Sequence, residues 1–335
     1  MLARTEMRLS ECSFREIYLP EADEQKSVIR GLSIPGAPAR DGQSGRFVSS
    51  LPPSLSRDCA TFLATVGANC RDPSLQAGDS FITLHDGVRY RCSRMWVGNA
   101  PAGTRIWAIR RISRNVPKLA DLGMPVQMIK ALRRMEMRTG LLAVGGSFGS
   151  GKTTSAASVF DEWVSATREV GVTFEDPPEF SMERIGGECG SVVQTDVTDY
   201  GYAMAMRESR RWAPRFVLVG EIRDPETAAE TLHMAISGPL VVTTVHGADT
   251  ISTLLSLARY AARAMPDREA RQLLAAALSG VLQQSVVDGK TEFSLLSMEH
   301  PDQARSVRGK IETGEYRKIE EDIVRQARVL ERADR

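Results

Sequence analysis

Gly146-Ser147-Phe148-Gly149-Ser150-Gly151-Lys152-Thr153, with Thr154 behind it, fits the pattern G-x4-G-K-[ST]. Each residue type has a chemical reason. The glycines let backbone N–H groups turn inward and wrap a β-phosphate. A helix beginning at Lys152 would offer its positive end to the same anion. Lys152 places a cation between β- and γ-phosphates, and the Thr153 hydroxyl can serve Mg²⁺. The expected phosphate-binding residues are Gly146, Ser147, Phe148, Gly149, Ser150, Gly151, Lys152, Thr153 and Thr154. The pattern occurs by chance in some chains. Here it lies between an apolar run, Leu141 to Val144, and a helix-length segment, as the chemistry requires.

Outward from that loop the chain alternates. Apolar runs at 172–174, 216–219 and 240–245 are each followed by a turn and a helical pattern. Buried parallel strands covered by helices on both faces look like this. The fold class expected is α/β, with a parallel-sheet domain over 123–335. Its C-terminal part, from about residue 262 to 335, reads as helical, and Ile319, Ile323, Ala327 and Leu330 mark one face of the last helix. Residues 1–113 read as a smaller mixed α/β domain, and 114–122 as a linker. Within the smaller domain, 33–56 has a loop composition and 54–68 looks helical. Asp86-Gly87 is a two-residue hairpin signal between two strands, and a further strand is expected from Thr104 to Ile112.

Composition narrows the function classes. The 335 residues are 42% hydrophobic and 25% charged, ordinary for a chain with a real core. Lys plus Arg number 43 and Asp plus Glu 42, so a whole-surface polycation for nucleic acid is excluded. The neutral sum is a cancellation. Residues 1–122 carry 17 cations against 12 acids, and residues 123–335 carry 26 against 30. The five cysteines are scattered and never form a CxxC pair, which argues against a disulfide framework or zinc knuckle. No apolar leader and no run of about 18 apolar residues is read. The expected location is the cytoplasm, or the cytoplasmic face of the inner membrane.

Three further blocks carry candidate chemistry. Phe216-Val217-Leu218-Val219-Gly220-Glu221 is an apolar strand ending in a carboxylate, placed to hold a metal or its water. Thr173-Phe174-Glu175-Asp176-Pro177-Pro178-Glu179-Phe180 is either a solvated acidic turn or the source of a carboxylate that activates water. Thr243 to His246 ends another strand. A lone histidine there is usually structural, but beside a γ-phosphate it could sense that group.

Together these blocks resemble the type II/type IV secretion ATPases. Residues 175–180 look like that family's aspartate box, Val217 to Asp224 its Walker B stretch, and Thr243 to His246 its histidine box. Arg207 and Arg211 fall where the family has two arginines. The resemblance implies a RecA-like P-loop ATPase domain and a PAS-like N-terminal domain. It implies ATP and Mg²⁺ as cofactors, with Thr153 and Glu221 toward the metal. The catalytic set implied is Glu175, Glu221, His246, Arg207 and Arg211. It also implies a homohexameric ring working with inner-membrane components of a secretion, conjugation or pilus machine, and no direct nucleic-acid binding. The histidine box usually begins Gly-His, whereas this chain has Gly238-Pro239. The absence of a tetracysteine site and of an AIRNLI-like block points to the PilT-like branch of conjugation and type IVB secretion (DotB/TraJ-like).

Between Gly87 and Ala120 eight cations occur with no acid among them. They are a solvated basic face, or they include a residue that stabilises γ-phosphate charge across a subunit boundary. The candidates for that trans role are Arg91, Arg94, Arg105 and Arg110. The competing function is a RecA-fold nucleic-acid motor, a helicase or DNA-pumping ATPase. No basic groove interleaved with aromatics is visible to support it. A nucleotide-binding switch without turnover is a third reading, opposed by the intact Lys152, Thr153, Glu175 and Glu221.

Overall fold

The computed structural model of the chain describes residues 16–20, 28–30, 47–48, 61–62, 65, 80–96, 105–113 and 115–333. Two compact units divide it, residues 1–114 and 115–335.

In the first unit six strands form one antiparallel sheet. They are β1 (Glu16–Pro20), β2 (Val28–Arg30), β3 (Phe47–Val48), β4 (Ser80–His85), β5 (Val88–Trp96) and β6 (Arg105–Arg111), in the order β3-β2-β1-β6-β5-β4. Asp86 and Gly87 join β4 to β5 with φ of 48° and 70°. Positive φ at both turn residues matches the right-handed twist of the flanking strands, which explains the Asp-Gly signal. Ile17, Phe62, Tyr90, Cys92 and Ile109 are fully buried. Phe62 packs edge-on against His85 and Tyr90, at 5.1 and 4.9 Å between ring centroids. Of the loop expected over 33–56 only Phe47 and Val48 are described, and they form strand β3 rather than loop; most of the helix expected over 54–68 lies outside the described residues.

The second unit is built on β7 (Gly140–Gly146), β8 (Val170–Glu175), β9 (Ser191–Asp196), β10 (Phe216–Val219), β11 (Leu240–His246), β12 (Leu278–Val287) and β13 (Lys290–Ser297). Their order is β13-β12-β7-β11-β10-β8-β9. All neighbours are parallel except the β12–β13 hairpin. Around the sheet lie α1 (Val126–Arg134), α2 (Lys152–Thr167), α3 (Tyr202–Ser209), α4 (Pro225–Ile236), α5 (Thr250–Ala264), α6 (Asp267–Ala277), α7 (Pro301–Glu312) and α8 (Glu320–Ala333).

Why the strands read as continuous apolar runs is now visible. Leu141, Ala143, Val217, Val219, Val241 and Val245 face α4, α5 and α6. Their neighbours Leu142, Val144, Phe216, Leu218, Leu240 and Val242 face the other way, onto α1 and α2. Alternate side chains enter two separate cores, so no position is left for a polar face. Parallel strands also end together, and the ends of β7, β8, β10 and β11 make one rim.

Two expectations need correction. The stretch read as a helical C-terminal part over 262–335 contains the β12–β13 hairpin, and β12 pairs with β7 in the middle of the sheet. Asp288 and Gly289 turn the hairpin with φ of 50° and 76°, the same signal that marks Asp86-Gly87. The segment 114–122, read as a linker, is partly packed structure. Leu119 is fully buried against the α1–α2 face of the core.

The last helix docks through polar groups as well as apolar ones. Gln326 accepts from the Ser297 N–H at 2.7 Å and donates to the Ser297 carbonyl at 2.9 Å. Asp322, 1% exposed, receives Lys310 Nζ at 2.6 Å and the Ser306 hydroxyl at 3.2 Å. A buried carboxylate stripped of its cation is costly. Lys310→Met is expected to lower unfolding stability by about 3 kcal/mol, and Lys310→Met with Asp322→Leu to recover most of it, measured by chemical denaturation.

Candidate functional site

The phosphate loop starts where β7 ends, and its neighbours crowd it. A Cβ on Gly145 would lie 2.2 Å from both Gln283 Oε1 and Thr253 Oγ1. A Cβ on Gly146 would lie 2.5 Å from the Gln284 carbonyl oxygen and from Ser150 Oγ. Gly149 and Gly151 take φ of 71° and 91°, the left-handed region that lets the loop double back. Gly151 caps α2, and Lys152 is its first residue. The loop therefore brings its main chain and the positive end of a 16-residue helix to one point.

Lys152 is 7% exposed. Its Nζ donates to the Ser147 carbonyl at 2.8 Å and lies 3.4 Å from His246 Nδ1. Burial holds its pKa below the ordinary lysine value, and the charges of Glu221 and Glu179 oppose that. His246 stands in register with Gly146 across the β7–β11 pairing. Its Nε2 lies 2.6 Å from Glu221 Oε1. Lys152, His246 and Glu221 thus form a continuous chain over the strand rim.

The rim is tied by main-chain bonds. The Gly220 N–H donates to the Phe174 carbonyl at 2.8 Å, and Ile222 N–H to the Thr244 carbonyl at 3.0 Å. Thr244 Oγ1 donates to the Gly220 carbonyl at 2.7 Å. Glu175 and Glu221 are fixed on adjacent strand ends by these bonds. Arg223 pairs with Asp176 and lies 5.7 Å over the Tyr202 ring, which ties residues 221–224 to residues 175–180. Asp224 caps α4 by accepting from the Thr227 N–H at 2.7 Å, so this acid is occupied structurally.

Glu175 is 3% exposed. Its Oε1 accepts from Thr173 Oγ1 and from Gln194 Nε2, each at 2.8 Å. Burial raises its pKa above the usual carboxylate range, and those two hydrogen bonds partly offset the rise. Thr153 is half-buried at the start of α2.

The arginines are placed differently. Arg207, on α3, pairs with Glu230 of α4 at 3.2 Å, and Arg210 binds the same carboxylate. Arg211 is exposed on the turn after α3. In the first unit Arg91 is paired directly across from Arg110, while Arg94 lies opposite Trp107 and Arg105 opposite Trp96. Arg91 is half-buried and Arg110 exposed.

Sequence reasoning passed over two kinds of residue. Gln283 and Gln284, both buried, interrupt the apolar run of β12. Gln284 Nε2 donates to the Ser150 carbonyl, and its Oε1 accepts from Ser155 Oγ at 2.7 Å. Gln283 Nε2 donates to the Gly247 carbonyl at 2.9 Å, and its Oε1 accepts from Thr253 Oγ1 at 3.0 Å. One glutamine props the phosphate loop and the other the segment after His246. Adjacent amides inside an apolar strand were the available signal. Glu179, quoted only as part of its acidic block, is near enough to raise the Lys152 pKa.

Comparison with known proteins agrees with the motifs. The family described as type II/IV secretion system protein matches residues 79–314. The type II secretion system ATPase E of Vibrio cholerae is 31% identical over 215 residues, 62% of this chain and 40% of that protein. The type IV pilus assembly ATPase TfpB of Acinetobacter baylyi is 32% identical over 174 residues, 51% of this chain and 28% of that protein. The chain therefore spans less than half the length of these curated relatives. Among solved structures, the Legionella pneumophila ATPase DotB aligns with a TM-score of 0.66 at 20% identity, over 91% of this chain and 83% of that one. The pilus retraction motor PilT with bound ADP aligns with a TM-score of 0.68 at 22% identity, over 94% and 89%. At such identities the structural likeness speaks for a shared fold alone, an α/β RecA-like unit with a smaller mixed N-terminal unit. The family match spans most of the sequence, including every strand of the parallel sheet, and this chain belongs to the type II/IV secretion system protein family.

Proposed function

We propose that this protein hydrolyses ATP and, as a homohexameric ring, drives a secretion, conjugative-transfer or type IV pilus machine from the cytoplasmic face of the inner membrane. The observation carrying this reading is the convergence of Lys152, His246 and Glu221 on the rim where the phosphate loop feeds α2. The family of the chain supports it over a nucleic-acid motor. The branch we favour is the DotB-like one of conjugation and type IVB secretion.

The roles follow from the chemistry of each position. Backbone N–H groups of the loop and the α2 N-terminus bind the β-phosphate. Lys152 supplies a cation that the nearby acids Glu221 and Glu179 favour against the opposing effect of burial. The Thr153 hydroxyl and the Glu221 carboxylate are hard oxygen donors that fit Mg²⁺, which commonly takes one or two protein ligands and phosphates. When bound, the metal neutralises charge on the β- and γ-phosphates. Glu175 accepts a proton from the attacking water, and its raised pKa suits a base. His246 contacts the γ-phosphate. Arg207 and Arg211, with Arg91, Arg94, Arg105 or Arg110 in trans, stabilise its developing charge.

Phosphate release by the full chain, with and without Mg²⁺, is the direct test. Wild-type protein that binds ATP as an assembled ring and releases no phosphate would leave a switch, not a motor. Glu175→Gln is expected to retain ATP binding and lose roughly 10²- to 10⁴-fold in turnover, whereas Lys152→Ala loses binding. Only ionised Glu175 acts as a base, so turnover should rise with pH on a limb above the ordinary carboxylate range. Thr173→Val removes a donor to the ionised form and should move that limb to higher pH, read from a kcat–pH profile. Gln284→Leu strands the Ser150 carbonyl and the Ser155 hydroxyl. It should destabilise by about 1–3 kcal/mol and weaken ADP binding, checked by denaturation and calorimetry.

A further inference from the structure

The phosphate loop leaves one end of β7. Just before the other end, Arg138 helps to line a groove of about 610 Å³ with Met298, Ala304, Arg305, Arg308 and Glu312. Met298 and Ala304 are nearly fully buried and give the groove an apolar floor. Arg138 donates to the Met298 and Glu299 carbonyls at 3.0 Å each, so it is fixed in the groove wall. Arg305 and Arg308 stand one turn apart on α7, both exposed. Neither side chain has an ion-pair partner among the described residues.

Two neighbours show what this surface accommodates. The first is Glu299. Arg134 grips both of its oxygens, at 2.6 and 2.8 Å. That bond, with the charges of His300 and Arg138, holds its carboxyl below the usual carboxylate range against the effect of burial. A carboxylate is thus already held beside the groove by arginine. The second is Gly309, inside α7. Glycine weakens a helix interior. A Cβ at Gly309 would meet no atom within 4 Å, so no packing within this chain explains the residue. Its open face is room for a second main chain to lie close to α7, beside Arg305 and Arg308.

The occupant follows from charge and shape. A lipid bilayer is flat, and this surface is concave. A nucleic-acid strand carries an unbroken row of charge, which Glu312 in the wall repels. A peptide sets carboxylates against Arg305 and Arg308 while keeping a neutral or basic residue beside Glu312. We propose that the groove docks an acidic segment of a partner protein, with two carboxylates one helical turn apart meeting Arg305 and Arg308 and its main chain passing over Gly309. This surface is apart from the nucleotide site, and the proposal does not depend on that site's reading.

The test is fluorescence anisotropy of a labelled peptide built from Glu-Ala-Ala-Glu repeats, titrated with the full chain at low salt. Wild type should bind it, and added salt should weaken the binding. Arg305→Glu with Arg308→Glu should weaken it by about ten-fold or more. Arg325→Glu with Arg328→Glu, an exposed pair at the same spacing on α8, changes the net charge equally and should leave the affinity near wild type. Gly309→Gln alters no charge. It should weaken binding several-fold while leaving the chain at least as resistant to denaturant as wild type. No binding by wild type, equal losses in the two arginine pairs, or full affinity in Gly309→Gln would each overturn the docking site. So would Arg305- and Arg308-dependent capture by phosphatidylglycerol vesicles, or tighter binding of a labelled oligonucleotide than of the peptide, which would assign the groove to a membrane or to nucleic acid.

Discussion

The approach of β7 to β12 at Gly145 and Gly146 constrains everything around the site. Any side chain at either position would collide with a β12 glutamine within hydrogen-bond range of the loop. Because the space is taken by amides, the loop receives polar support from Gln284, and the segment after His246 receives it from Gln283. The strand rim then holds its register, and His246 falls opposite Gly146. Phosphate chemistry depends on sub-ångström placement of a few donors. Here the placement comes from backbone packing, with side chains adjusting it.

The site is also a study in charges kept close together. Lys152 is buried deeply enough to lose some of its affinity for a proton, and Glu175 deeply enough to gain some. Both shifts favour the neutral forms, and each is opposed by designed contacts: acids around the lysine, hydroxyl and amide donors on the glutamate. Desolvation and compensation pull in opposite directions at the same rim. Such groups respond strongly when a neighbouring charge arrives.

Legibility in the sequence followed local information. The phosphate loop, the apolar runs and the Asp86-Gly87 turn each carry their reason within a few residues, and each appears where it was expected. Asp288-Gly289 carried an equal signal, but the apolar run before it also suited a helix, and length alone did not arbitrate. Strand β9, on the sheet edge, buries only Val192 fully and has no apolar run to announce it. Gln283 and Gln284 were passed over, because their partners lie 30 to 134 residues away. The Arg207 ion pair with Glu230 links α3 to α4 across 23 residues, a contact no local signal announced.

One polar contact has a consequence for handling the protein. Strand β13 closes one end of the seven-stranded sheet, where unpaired main-chain groups could template another strand. Gln326 occupies the donor and acceptor of Ser297 in the way a neighbouring strand would. The final helix therefore acts as a stopper against open-ended strand addition. A chain cut before it would present a sticky border, and its characteristic failure would be aggregation rather than loss of chemistry.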